Sequence, residues 1–397
     1  MQKKVISQFY LLSCLFSLGS NALIGSVYVT FLMKNGLSLF EVNLVNTCFF
    51  LTLFLCEIPT GACADIFGRK TSFLIACGLL CLSMFIYGSS HTLVGFIIAE
   101  ILGAAGSTFR NGAFRAWLVD SLKHHGNDGP HQKIFARSEF YCKATSAIGA
   151  VIGAYLASFN MAWPWFVGGT IMVATFVVAR KIMKEEYFER RTLSIREGVS
   201  SMIDVARTSI RYGKEDSAVR FILAVTFIQI FSVMAFNMYW QPHLKNHGMQ
   251  PVYFGYVYFG IMALTALGLF IVAQIDCGGR EKRAIVIIHT VTGVCMIAAA
   301  CMTSMPLILV FFLLHEIPRG SIQPVISSFL HHRIPSGERA TIDSFCSIAP
   351  HIGGAIGLLL SGVIAQKFGI SVAWIVSGII LTGGALLLSR NGMGSES

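Results

Sequence analysis

The chain alternates long apolar runs with short polar gaps. Inside a bilayer the backbone must satisfy its own hydrogen bonds, so a crossing takes a helix of about 20 mostly apolar residues. Twelve runs meet that rule, at 6–33, 39–62, 71–90, 92–118, 140–159, 163–184, 219–244, 252–275, 283–302, 306–331, 341–366 and 370–389. They predict an all-helical membrane protein, and are called spans one to twelve below. The first run follows Met-Gln-Lys-Lys much as a signal peptide would. It extends to Met33, too long for a cleaved core of about 7–15 residues, and so predicts a span. One gap is long. From Lys184 to Arg220 the chain is charged and helix-compatible, which predicts six-helix bundles at 1–184 and 219–397 joined by a linker at 185–218.

Composition agrees. Hydrophobic residues make up 54% and charged residues 13%, with a mean hydropathy of +0.67. Soluble domains carry about 25% charged residues, so this chain lacks the charge to clothe a water-facing surface. The net charge of +10 would suit nucleic acid, but the basic residues lie in the gaps between spans and point to topology instead. With the N-terminus in the cytoplasm, 24 of the 30 Lys and Arg fall inside and only Lys34, Lys245 and Lys367 outside. Arg110, Arg115 and Arg319 lie within spans. Cytoplasmic loops collect such residues, so both termini are expected in the cytoplasm, as in a bacterial inner membrane. The eleven cysteines fall mostly in apolar runs, without CxxC or Cys/His spacing, and predict neither a disulfide framework nor a metal site. No P-loop, HExxH or nucleophile elbow is present. An ATP-driven pump and an enzyme are therefore disfavoured, and no cofactor is expected.

The chain also repeats itself. Asp65-Ile66-Phe67-Gly68-Arg69-Lys70 follows span two, and Asp276-Cys277-Gly278-Gly279-Arg280-Glu281-Lys282 follows span eight, giving D-x-x-G-R twice, 211 residues apart. Lys34-Asn35-Gly36 after span one corresponds to Lys245-Asn246-His247-Gly248 after span seven, with the glycines 212 apart. Two matching offsets predict two pseudo-symmetric six-helix bundles in parallel orientation, an organisation known in secondary transporters.

On these residues the chain resembles the major facilitator superfamily. The run from Gly61 through Asp65 and Gly68 to Arg69 and Lys70 is similar to that family's G-x-x-x-D-x-x-G-R-K loop. Glu57-Ile58-Pro59-Thr60 and the stretch from Ser107 to Trp117 resemble a drug-exporter-like branch. The resemblance implies a solute cavity lined by spans one, four, seven and ten, alternating access, and a monomer. It also implies a gating role for the loops, namely Gly61, Asp65, Gly68, Arg69, Lys70, Asp276, Gly279 and Arg280. Asp65 would latch the inner gate against the start of span eleven near Ala340-Thr341, or else only anchor its loop. Two departures weigh against antiport. Glu100 stands where many proton-driven exporters carry arginine, and no proline follows Gly149 and Gly153 in span five.

Ionisable groups within spans are costly and mark function by default. Glu316 and Arg319, spaced i,i+3 on one face of span ten, and Glu100 and Arg110 in span four are candidates for substrate or proton coupling. They read equally as mutually neutralising pairs. Arg110 and Arg319 occupy similar places in the two halves, and two converging cations would favour an anionic solute. Glu57 serves as a gate carboxylate or a partner for Arg115; Asn21 and Asn237 are polar cavity candidates. Trp163, Trp165 and Trp374 fit interfacial anchors. The function expected is proton-coupled efflux of small amphipathic organic compounds. The alternatives are uptake or facilitated diffusion of a small metabolite, anionic solutes among them, and a non-transporting receptor that keeps the fold.

Overall fold

The computed structural model describes residues 1–127, 129, 131–185, 216–275, 277–333 and 348–390. Among these, twelve helices are long and apolar enough to cross a membrane, and none of the residues forms a strand. The chain clusters into two compact units. Unit 1 holds Met1–Gly36, Cys48–Met202 and Pro251–Phe259; unit 2 holds Leu37–Thr47, Ile203–Gln250 and Gly260–Ser397.

Unit 1 begins with α1 (Gln2–Ser17), a π-helical segment (Leu18–Ala22) and α2 (Tyr28–Lys34). The sequence predicted one uninterrupted helix here. Gly19 and Gly25 weaken the run, and the wider π turn is fixed by neighbours that sit unusually close. The ranges of α6 (Gln132–Phe159) and α7 (Trp163–Ile182) bring Gly149, Gly153 and Gly168 against it. A Cβ at Gly153 would run into the Leu23 carbonyl, and one at Gly149 into Ala22. The Ser26 hydroxyl adds a hydrogen bond of 2.9 Å to the Ala150 carbonyl. α3 (Leu39–Phe67) turns at Gly68, whose φ of +96° favours glycine, into α4 (Arg69–Ser89). α4 packs on α5 (Leu93–His124) and α7. Phe114 on α5 stacks between Phe9 and Phe73, with ring centroids 4.7 and 4.5 Å away.

Unit 2 repeats this plan with α8 (Ser217–Asn246), α9 (Phe254–Ala273, in this unit from Gly260), α10 (Glu281–Cys301), α11 (Met305–Leu314), α12 (Glu316–Arg333), α13 (Ile348–Phe368) and α14 (Ile370–Arg390). The sequence read span ten as one helix; the structure breaks it at His315. Pro318 has no N–H to offer the Leu314 carbonyl, so the ladder fails there. α8 packs on α13 as α1 packs on α6, and α10 on α14 as α4 on α7. Gly353 and Gly357 on α13 press against the Phe227 and Phe231 carbonyls, 204 residues after Gly149 and Gly153, which press on span one. The loop repeats match in conformation as well. Gly36 and Gly248 both take positive φ at helix ends, as Gly68 and Gly279 do before helix starts. Val219, Ile222, Ile285, Ile322 and Phe329 form the inner core of α8, α10 and α12.

α5 and α6 outrun the expected spans by six and eight residues. At about 1.5 Å per residue, the 28 residues of α6 reach ~42 Å, beyond the ~30 Å of hydrocarbon. Its polar first turns (QKIFARSE) are invisible to a hydropathy rule.

Candidate functional site

Unit 2 buries a charged cluster at the break in span ten. Glu316 is 1% exposed and opens α12. Its Oε2 accepts from both Arg319 Nε and Arg319 Nη2 at 2.7 Å, and from the Thr265 hydroxyl of α9 at 3.0 Å. Its Oε1 faces Nε2 of the fully buried His315 at 3.4 Å. Arg319 Nη1 donates to Asn237 Oδ1 of α8 at 3.1 Å. The i,i+3 spacing thus produces an ion pair, and Asn237 joins it. Thr265 was missed, because a lone threonine in an apolar run has no signature of its own.

Unit 1 treats its acid differently. Glu100 is buried near the start of α5, where it accepts from the hydroxyls of Tyr28, at 3.4 Å, and Tyr87. The two tyrosine oxygens lie 3.1 Å apart. The expected alternative of a Glu100–Arg110 pair is corrected. Ten residues of helix separate them by ~15 Å, and phenols satisfy the carboxyl instead.

Arg110 lies 4.6 Å above the Phe16 ring and 6.0 Å from Phe114. Its Nε is buried without a hydrogen-bond partner. Arg115 stands over Phe135 at 5.0 Å and makes no ion pair among the described residues. The Glu57–Arg115 pair that the sequence reading had offered is therefore not formed; Glu57 lies at an exposed position of α3. Both arginines line a cleft of about 250 Å³ with Phe9, Ser13, Phe114, Phe135, Ser138, Glu139 and Cys142. Asn21 is exposed on the π segment.

At the loop after α3, the Arg69 guanidinium lies 3.8 Å from Asp120 of α5. The Arg69 amide donates to Glu185 Oε1 at 2.6 Å, so the start of α4 carries a carboxylate where unpaired N–H groups favour one. Trp117 Nε1 donates to the Lys184 carbonyl at 3.0 Å, tying the same segment to α5. Burial holds the Glu185 carboxyl above the usual carboxylate range, against the pull of the Lys70 and Arg69 amides and side-chain charges. The sequence reading had assigned Glu185 to the linker and missed it. Gly61 lies within α3, Lys70 in the first turn of α4, and Arg280 caps α10. The Asp65 side chain, Asp276 and the expected latch partner at Ala340-Thr341 lie outside the described residues.

The interfacial reading of the tryptophans is corrected for two of three. Trp163 is half exposed, but Trp165 and Trp374 are fully buried. Trp165 stacks on Phe31 at 4.0 Å, and Trp374 donates to the Ala235 carbonyl at 3.2 Å. Both follow a turn at the start of a helix, so position alone suggested the interface. In unit 2 Asn43, a residue the sequence reading passed over, donates to the Tyr239 hydroxyl and, at 2.7 Å, to the Leu358 carbonyl.

A family model described as Major Facilitator Superfamily matches residues 9–275 and 222–392. An uncharacterized MFS-type transporter of Bacillus subtilis (strain 168), YxaM, is 20% identical over 382 residues, covering 95% of this chain and 93% of that one. Among solved structures, the nucleoside transporter NupG superposes with a TM-score of 0.73 at 13% identity, covering 99% of this chain and 98% of that one. A D-xylose-proton symporter gives 0.73 at 12%, over 97% and 96%. The human organic anion transporter MFSD10 (TETRAN) gives 0.70 at 16%, over 98% and 99%. At such identities these structures establish the fold alone.

Proposed function

Because this chain belongs to the Major Facilitator Superfamily, and is thus a multi-pass membrane transporter, we propose that it exports small amphipathic organic compounds in exchange for protons. Alternating access between the bundles at 1–184 and 219–397 carries the solute, and the D-x-x-G-R loops act as the inner gate. In this reading the protein works as a monomer in the inner membrane, as the family resemblance implies, and its Lys/Arg distribution supports both termini in the cytoplasm. Export rests on the drug-exporter-like stretches around Glu57 and from Ser107 to Trp117.

One observation carries the proton coupling: the buried ion pair of Glu316 and Arg319. An ionised carboxylate is tolerable at such depth only with its guanidinium partner in place. A proton on Glu316 cancels the pair and leaves Arg319 in need of another acceptor. The pair therefore takes up and gives up a proton as a unit, and exchange requires that the solute-loaded protein hold Glu316 deprotonated. Glu100, held by two phenols, is a second proton site in the other unit.

The test uses the purified protein in liposomes loaded with a pH-sensitive dye and challenged with amphipathic cations, zwitterions and carboxylates. Solute-triggered proton movement should appear in the wild type and vanish in Glu316→Gln. Solute flux without proton movement would discard exchange and favour the second reading, facilitated movement of an anionic metabolite. That reading draws on Arg110, with which no described acid of its own unit forms an ion pair.

A further inference from the structure

The cleft between α1, α5 and α6 holds two guanidiniums but no acid paired with either. Arg110 makes no hydrogen bond or ion pair among the described residues, and its Nε is sealed from solvent. Leaving a charged donor unmet in a membrane span costs kilocalories, and only the faces of Phe16 and Phe114 offset it. Arg115 is likewise met by a ring, Phe135. The one carboxylate in the lining, Glu139, is more than half exposed, lies 3.8 Å from Lys143, and acts on Arg110 only at a distance, without an ion pair. Arg319, the counterpart of Arg110 in the other half, is fully neutralised by Glu316. Among the described residues, unmet positive charge within the spans thus gathers in this cleft.

The remaining walls say what accompanies an anion there. Phe9, Phe114 and Phe135 form an aromatic surface, with Phe9 and Phe135 edge to face at 6.0 Å. Ser13 and Ser138 supply hydroxyls, already 3.0 Å from each other. The volume of about 250 Å³ falls just below the ~300 Å³ at which drug-sized pockets begin. We propose that this cleft binds a small aromatic or amphipathic carboxylate, its anionic group on Arg110 with Arg115 alongside and its ring against the phenylalanines. This rests on the reading of the chain as a transporter of small organic compounds, and it narrows the class of those compounds to organic monoanions.

Cys142 lines the same cleft and reports occupancy. Full-length protein in neutral detergent is labelled with N-ethylmaleimide, and modification of Cys142 is followed by peptide mass spectrometry. Benzoate should slow the labelling and its neutral isostere benzamide should not. Arg110→Gln should weaken protection by about tenfold or more, the loss of one charge-assisted contact. Fully buried Cys77 serves as the control for folding. If Arg110→Gln exposes it, the wild-type comparison of benzoate with benzamide decides alone, with Arg115→Gln as the second variant. Equal protection by both compounds, or full protection in Arg110→Gln with Cys77 still shielded, would overturn the proposal. So would protection by phosphatidylglycerol with none by benzoate, which would assign the cleft to a lipid headgroup. The readout involves no gradient, so its failure leaves proton exchange standing, and failure of proton exchange leaves this result intact.

Discussion

Removing Arg319 alone should damage the protein more than removing Arg319 and Glu316 together. The guanidinium gives the buried carboxylate two contacts of 2.7 Å; without it, Glu316 keeps only the Thr265 hydroxyl and the His315 ring. Breaking a buried pair by deleting one partner costs about 3–5 kcal/mol, because the other charge is stranded. Arg319→Gln should lose that much. Glu316→Gln strands a group that is easier to accommodate, since the Arg319 side chain is 23% exposed and retains Asn237 at 3.1 Å. That loss should be about 1–2 kcal/mol, the order of a single hydrogen bond to a charged group. The double variant replaces two opposed charges with two amides that can hydrogen-bond to each other, so it should fall close to Glu316→Gln. Additive singles would sum to about 4–7 kcal/mol, which leaves an expected coupling of about 3–5 kcal/mol, at or above the upper end for residues in contact. Unfolding in mixed detergent and dodecyl sulfate micelles, followed by tryptophan fluorescence, measures all four proteins. Additivity within ~0.5 kcal/mol would refute the pair as a coupled unit, and with it Glu316 as the proton site.

Tyr87→Phe should destabilise by about 1–3 kcal/mol, since it removes the closer donor to buried Glu100. Tyr28→Phe, whose oxygen is 3.4 Å from Glu100, should cost less, and thermal melts giving the reverse order would contradict the geometry. Gly153→Ala should lose about 1–3 kcal/mol by forcing α6 away from the Leu23 carbonyl. Gly112→Ala, with open space around it in α5, should gain about 0.5–1 kcal/mol; equal effects in the same melts would sink the close-packing argument. For Glu185 the pH dependence has a definite sign. Its carboxyl is raised by burial, so folding favours the protonated form, and that contribution is lost as pH rises from the ordinary carboxylate value through the raised one. Wild type should therefore lose stability relative to Glu185→Gln over that window, and parallel melting curves would show that burial does not govern Glu185.

The sequence made the twelve spans and the two halves legible because hydrocarbon leaves the backbone so few options. The loop repeats carried conformation as well as identity, which is why Gly36 and Gly248, or Gly68 and Gly279, share positive φ. What stayed hidden depends on neighbours distant in sequence. No local rule reveals that Tyr28 and Tyr87 converge on Glu100, or that Thr265 reaches Glu316. The break at His315 was foreshadowed by Pro318, but the π segment in span one depends on glycines more than a hundred residues away. Glu185 escaped notice because a charged linker hides one acid among many, and only the amide of Arg69 singles it out.

The repeat also shows where the two halves have parted. Backbone features recur with fixed offsets, down to the glycine pairs at 149/153 and 353/357 that let helices touch. Charges do not. One half sets its span-four arginine against phenylalanine rings and its acid against phenols; the other joins arginine and acid at the helix break. Packing that must fit on both sides resists change, because a methyl at Gly153 or Gly357 meets a carbonyl. Charge is free to move once each site keeps its own means of meeting the cost of burial. Among the described residues an acid meets that cost around Arg319 but none does around Arg110. An ion pair that is complete in itself suits a proton site, where one proton suffices to open it. A guanidinium left without an acid suits a solute site, where the missing charge arrives with the cargo. The division of labour between the halves follows from which half leaves its arginine without an acid.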